Sequence, residues 1–192
     1  MSKLEKSFYL RSDVVKIAKE LLGKYLFTKF NGKITGGIIT ETEAYNGIID
    51  RASHAFGGRR TQRTEIMYGE GGIAYVYLCY GIHSLFNVVT NKKNIPHAVL
   101  IRSVHPTHGI DVMLKRRNKK TADKLFTCGP GSVAQALSIH YSHTGTGLAG
   151  NKIWIEDRNL IVSKSQVFVS KRIGVEYSGE DAHLPYRFIL KI

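Results

Sequence analysis

Two stretches decide how this chain reads: IITETEAYNGIIDRASH, residues 38–54, and IAYVYLCYGIHSLFN, residues 73–87. In the first, Glu41, Glu43 and Tyr45 stand at alternate positions. On an extended strand that spacing aims all three side chains at one face. The second alternates Tyr75 and Tyr77 with Val76 and Leu78, turns at Tyr80-Gly81 and returns, which is the pattern of a hairpin. One segment supplies acid/base groups and the other a row of rings. Together they predict the walls of a single pocket for a flat, ring-shaped substrate.

The flanking sequence reads outward from these segments. Ser12 or Asp13 caps a helix whose apolar residues Val14, Ile17, Ala18, Leu21 and Leu22 recur at helical spacing, with Gly23 as its stop. Tyr25–Phe30 predicts a strand, Asn31-Gly32 a hairpin turn and Lys33–Glu43 the returning strand. Gly36-Gly37 inside that strand marks a bulge or a close backbone approach. Gly47 ends the strand, and Asp50–Phe56 reads as a short helix.

Further on, Ile73–Cys79 and Ile82–Thr90 form the hairpin arms, and His97–Val104 is a strand whose AVLI run places it centrally, buried on both faces. Arg102 at its far end is a large cation that needs an anion or a paired carboxylate. Ile110–Arg117 reads as a helix, TCGPGS (residues 127–132) as a turn into a short helix over Val133–Ile139, and His140–Gly150 as a loop. Ile153–Glu156, Ser165–Ser170 and Pro185–Leu190 complete the strands.

Composition narrows the class. The 192 residues carry 28 Lys+Arg against 15 Asp+Glu, a formal charge of +13. An excess of that size favours polyanions such as nucleic acid, or anionic membrane surfaces; a generally basic proteome is the plainer source. No apolar run reaches the roughly 18 residues of a membrane span, and the N-terminus MSKLEKSFYL lacks the apolar core of a signal peptide. Cys79 and Cys128 are too few for a disulfide framework, which fits a reducing cytoplasm.

Each chemical group has a bland reading beside the sharp one. Glu43 suits a general base that deprotonates water and balances charge on a sugar ring. Glu41 shares its face, so geometry alone leaves it open, with a solvated or structural ion pair as the alternative. Tyr45, Tyr75 and Tyr77 are either half-buried sheet aromatics or stacking platforms worth about 1–3 kcal/mol per base.

The loop GGRRTQRTEIMYGEGG (residues 57–72) brings Arg59, Arg60 and Arg63, either to grip phosphates or merely solvated. Tyr80 is a large ring at a tip that normally holds small polar residues; insertion into a duplex, filling the gap of an extruded nucleotide, would use it. KRRNKKTADK (residues 115–124) reads as a solvated helix end. His105 with His108, and His140 with His143, lack further ligands, so no metal is expected. No triad, Walker loop or Rossmann loop is present.

At ETEAY, DRASHAFGGRR, YVYLCYGIHSLFNVV, VLIRSVHP and CGPG the chain resembles the alkyladenine (3-methyladenine) DNA glycosylase family, and the likeness runs from FYLRSDVVKIAKELLGKYL to RIGVEYSGEDAHLPYRF. The resemblance implies an α+β fold: a single mixed domain over residues 1–192, with a curved, mainly antiparallel sheet flanked by helices and a protruding, DNA-inserting hairpin. It implies a monofunctional N-glycosylase, free of metal, cofactor and lyase step, acting as a monomer on double-stranded DNA that contains a damaged base. Such a protein is expected in the cytoplasm, with the nucleoid in bacteria or in the nucleus of a eukaryote.

By the same resemblance Glu43 would activate water with Arg102 beside it. Tyr45 and Tyr77 would sandwich the flipped base, His54 would line a third wall, and Asn87 would disfavour guanine. Tyr80 would be the inserted ring. Gln62 stands where the family has proline, Ser132-Val133 where it has Lys-Leu, and His83-Ser84 falls in a variable region; these departures bear on substrate range and affinity, not reaction type.

Overall fold

The computed structural model describes residues 2–123 and 125–192. Chain order runs β1 (Ser2–Lys3), α1 (Lys6–Tyr9), α2 (Val14–Leu21), β2 (Tyr25–Phe30), β3 (Lys33–Tyr45), β4 (Ile73–Cys79), β5 (His83–Thr90), β6 (His97–His108), α3 (Ile110–Arg117), α4 (Pro130–Leu137), β7 (Ile153–Asp157), β8 (Val167–Ser170) and β9 (Arg187–Leu190). Every strand pairing is antiparallel, in the order β1-β7-β2-β3-β6-β5-β4. Strand β9, with β8 beyond it, joins β3 at Glu41–Glu43. The expected α+β class, a curled antiparallel sheet with a few helices, is what forms.

Strand β3 is long because three partners share it. Strand β2 takes its first half, β9 its second, and β6 runs along the other side. The Gly36-Gly37 expectation resolves into both alternatives. The register slips between these residues. A Cβ at Gly36 would meet the Phe27 ring at 2.2 Å, and one at Gly37 the His105 carbonyl oxygen at 2.3 Å. A second irregularity spans Ile39–Thr42. Beyond it, Thr42 points to the helix side, where its hydroxyl donates to the Ala18 carbonyl at 2.8 Å. Glu41, Glu43 and Tyr45 therefore point the other way.

Asp13 accepts from the Lys16 amide at 2.8 Å and starts α2, whose Val14, Ile17, Ala18 and Leu21 are buried in the main core with Ile39, Ala44, Val99 and Ile101. The AVLI run of β6 is buried as expected, between β3 and β5. A smaller cluster of Ala55, Met67, Tyr68, Tyr75, Val89 and Ala98 lies on the side of β4. The Asn31-Gly32 and Tyr80-Gly81 turns both have positive φ at two successive residues, the signature of tight hairpins.

Four expectations need correcting. No helix forms over Asp50–Phe56; single 3-10 turns form at Gly47–Ile49 and Phe56–Gly58. The reason is Asp50, whose carboxylate accepts from the Asn46 and Ala52 amides and folds the chain back on itself. The loop at 57–72 contains a 3-10 turn, Glu65–Tyr68, that buries Met67 and Tyr68. Helix α4 begins at Pro130, earlier than Val133, since proline's fixed φ suits a first helical turn. Strand β8 begins at Val167, after a 3-10 turn over Lys164–Gln166. In the basic run, Arg116 donates to the Ala136 carbonyl and Arg117 to that of Phe126, tying α3 to its surroundings; Lys124 lies outside the described residues.

Candidate functional site

The two deciding segments do meet. A cavity of about 220 Å³ is walled by Tyr45 from β3, His54 from the segment after it, Tyr75, Tyr77 and Cys79 from β4, Leu85 and Asn87 from β5, and Leu100 and Arg102 from β6. This falls below the roughly 300–1,000 Å³ of pockets for drug-sized ligands, the scale of one flat heterocycle rather than a whole nucleotide.

Glu43 is fully buried and stands behind the lining side chains of Tyr45 and Arg102 rather than on the cavity surface. Its Oε2 accepts from the Tyr45 hydroxyl at 2.9 Å and from Arg102 Nη1 at 3.5 Å; its Oε1 accepts from the Ile173 amide at 2.8 Å and lies 3.4 Å from Arg102 Nε. Burial pushes this carboxyl above its ordinary range, while Arg102, the Ile173 amide and the Tyr45 hydroxyl pull it back and Glu41 pushes again. Burial works against the Arg102 charge too, but Glu43 and Glu41 outweigh it and hold the guanidinium protonated. The anion that Arg102 required is thus a pair of carboxylates.

Glu41 takes the plainer of its two readings. It is 6% exposed, and its Oε1 accepts from Arg102 Nε at 2.9 Å and from Arg187 Nε at 2.6 Å. It is an ion-paired carboxylate and, like Glu43, stands behind the cavity lining.

The aromatic wall is ordered by contacts that sequence could not give. Tyr75 and Tyr77 lie 5.4 Å apart at 33°. The His54 ring stands edge-on to Tyr77 at 4.7 Å, with Nδ1 2.7 Å from the Tyr75 hydroxyl. Arg63 lies over the Tyr77 ring at 4.9 Å and reaches His54 Nε2 at 2.9 Å. Burial, then the charges of Arg63 and Arg59, lower the His54 pKa to about 4, so the imidazole is neutral at pH 7. Burial raises Tyr77 and Tyr75 above the ordinary phenol range. Asn87 donates to the carbonyls of Tyr75 and Leu85, which fixes its amide under the cavity floor.

Not every expected residue comes to this place. Arg60 is exposed, paired with Glu65 at 2.6 Å and set over the Tyr68 ring. Arg63 lies outside the cavity lining, exposed and held against His54 and the Tyr77 ring from behind. Tyr80 does border the cavity, but it is 91% exposed at the hairpin tip, with φ of +52°. Left-handed backbone costs a bulky residue about 1–2 kcal/mol, and Tyr there has no folding contact to offset that cost.

The sequence reading missed a third wall. Ile173, Gly174, Val175 and Tyr177 line the cavity, carried by the segment between β8 and β9. A buried ion pair pins that segment: Arg172 Nη2 donates to Asp50 Oδ1 at 2.8 Å, and Nη1 also donates to the Ala44 carbonyl at 2.9 Å. The Tyr177 hydroxyl donates to the Ala52 carbonyl at 3.2 Å, bridging the mouth. The segment has neither helical nor strand periodicity, so only its Arg-Ile-Gly after a strand hinted at a role. Among the described residues no three His, Cys, Asp or Glu side chains gather as a metal group, and no helix is long and apolar enough to cross a membrane.

Comparison with known proteins identifies the family. The family model described as methylpurine-DNA glycosylase matches residues 7–192. A Chlamydia felis protein is 48% identical over 190 residues, covering 98% of this chain and 96% of its own. A Desulfitobacterium hafniense protein is 40% identical over 198 residues, covering 100% and 96%, and one from Clostridium perfringens strain 13 is 41% identical over 197, covering 98% and 96%. All three carry the provisional name 3-methyladenine DNA glycosylase. With the match spanning nearly its whole length, the chain belongs to the methylpurine-DNA glycosylase family.

Proposed function

We propose that this protein is a monofunctional DNA N-glycosylase that draws alkylated or deaminated purines out of duplex DNA and hydrolyses the N-glycosidic bond. Its substrates are lesions of the 3-methyladenine, 7-methylguanine and hypoxanthine type, and its product is an abasic site. The observation that carries the reading is Glu43: a buried carboxylate in contact with Tyr45 and Arg102, both of which line a cavity of one-heterocycle size.

Chemically, the bond breaks with positive charge building on the sugar ring, and a nearby carboxylate balances it. A water held between Glu43 and Arg102 attacks the anomeric carbon, Glu43 takes its proton, and the bonding electrons leave with the purine. Raised by burial, Glu43 is a stronger base than a solvated carboxylate. The rings of Tyr45 and Tyr77 stack the extruded base, and an electron-poor, alkylated base gains cation–π attraction as well. Neutral His54 and buried Asn87 present fixed polar edges to it. Tyr80 fills the gap in the stack, and extrusion is cheapest at a damaged pair. Arg59, Arg60 and Arg63 favour the phosphate backbone together with the +13 charge, so binding falls steeply with salt. The protein acts as a monomer, in a compartment where Cys79 and Cys128 stay free.

The test is base release from duplex DNA holding methylated purines or one hypoxanthine, with Glu43→Gln beside the wild type. Release by the wild type, and binding without release by the variant, are expected. Binding without release by either protein, on every lesion tried, overturns the enzyme reading in favour of a non-catalytic binding domain. Preference for free nucleosides would instead make it a nucleoside hydrolase.

A further inference from the structure

Four alternating charges are linked in series through their contacts: Glu43, Arg102, Glu41 and Arg187. The links are 3.4 Å from Glu43 to Arg102, 2.9 Å from Arg102 to Glu41, and 2.6 Å from Glu41 to Arg187. Both arginines donate through Nε to the same oxygen, Glu41 Oε1. Arg102 is therefore held closer to the outer carboxylate than to the inner one. We infer that Glu41 and Arg187 are positioning residues for the reaction: Glu41 restrains Arg102 from closing into a tight pair with Glu43, and Arg187 limits how far it is drawn away. This inference rests on the proposed role of Glu43.

The physical need is plain. A general base must be basic, and an arginine paired closely with a carboxylate lowers its proton affinity by about 1–3 pH units. Yet with no cation near, burial alone would push the carboxyl further up and favour its protonated form. An intermediate hold on Arg102 leaves Glu43 ionised and still able to accept a proton from water.

The other charges around Glu43 leave the chain as the adjustable element. From its own strand come Glu41 and the Tyr45 hydroxyl; from β6, Arg102; from the segment after β8, the Ile173 amide and Arg172, whose charge is matched by Asp50; from β9, Arg187, directly opposite Glu43 in the ladder. Tyr77 lies beyond Tyr45.

The readout is the acid limb of the pH–rate profile for single-turnover release of 7-methylguanine from duplex DNA. That base is already cationic, so protonation of the leaving group does not enter. Glu41→Gln removes the restraint and an anion, so Arg102 closes on Glu43 and the limb moves to lower pH by about one unit. Arg187→Gln leaves Glu41 to draw Arg102 outward, so the limb moves to higher pH. Opposite shifts support the inference. Acid limbs unchanged from wild type, with only the melting temperature lowered, make both residues structural and overturn it, as do shifts in the same direction. Should Glu41→Gln fail to fold, Arg187→Gln carries the test, since Arg187 lies at a partly exposed end of the line. Full release by Glu43→Gln would overturn the role of Glu43 itself, a separate result from either of these.

Discussion

The Tyr45 hydroxyl donates to Glu43 Oε2 at 2.9 Å, two residues along the same strand, so the ring that lines the cavity is tied to the carboxylate behind it. In the proposed reaction, stacking and acid/base chemistry therefore share one side chain. Tyr45→Phe keeps the ring and deletes the donor. The bond favours the ionised carboxylate, so its loss raises the Glu43 pKa. The acid limb of base release should move to higher pH, with a larger loss at pH 6 than at pH 8. Tyr45→Ala should add the lost stacking, about 1–3 kcal/mol, or roughly fivefold to 150-fold in release. A Phe variant whose profile overlays the wild type would show that the hydroxyl has no hold on the base.

Glu43 should reveal itself in stability as well as in rate. Its folded pKa lies above the ordinary value because of burial. The folded protein thus binds that proton more tightly than the unfolded chain, and folding penalises the ionised form. Stability from this group is present at low pH and lost as pH rises through the folded value. Melting curves of wild type and Glu43→Gln from pH 4 to pH 7 should show the balance moving toward the variant as pH rises. A difference constant across that range would contradict the shift.

His54 behaves in the opposite sense. With a folded pKa of about 4, lowered by burial and by Arg63 and Arg59, it stays neutral through the range where a free imidazole titrates. Folding disfavours its cation, so its stability contribution is complete above about pH 6.5 and falls away toward pH 4. In an NMR titration its ring signals should hold still between pH 5 and pH 8. Arg63→Gln should move the midpoint up, toward the ordinary histidine value. A wild-type midpoint near 6.5 would mean the ring is wetter than its contacts indicate.

Tyr80 separates folding from function. Tyr80→Gly should relieve about 1–2 kcal/mol of left-handed strain, leaving the melting temperature unchanged or higher. Release from duplex DNA should fall at least tenfold, while release from single strands, which have no stack to fill, should hardly change. Equal losses on both substrates would remove the inserting role.

Much of this architecture was legible in the residues. Alternation at Glu41, Glu43 and Tyr45, the AVLI run and the two left-handed turns are local signals, and each names a strand or its end. The segment over Arg172–Tyr177 was not legible, because its order comes from a partner 122 residues away, the Asp50 carboxylate. The same distant bond explains the failed helix at Asp50–Phe56: an acidic residue at a plausible cap position was committed to an arginine elsewhere. The contacts of Arg63 were hidden in the sequence for a related reason. In a loop full of arginines, only the fold shows which one turns inward to Tyr77 and His54.

Pinning the cavity with residues 172–187 has a consequence for how the protein comes into being. Synthesis delivers β1 to β7 first, and with them Glu43, Arg102 and every tyrosine of the sheet wall. The amide that aims Glu43 and the cation that anchors Glu41 come later in the chain than all of these. A chain still lacking residues 172–187 would carry the reactive groups without the strap that aligns them. A fragment ending at Lys171 should be silent in the base-release assay, and one that released base would break this tie between completion and competence.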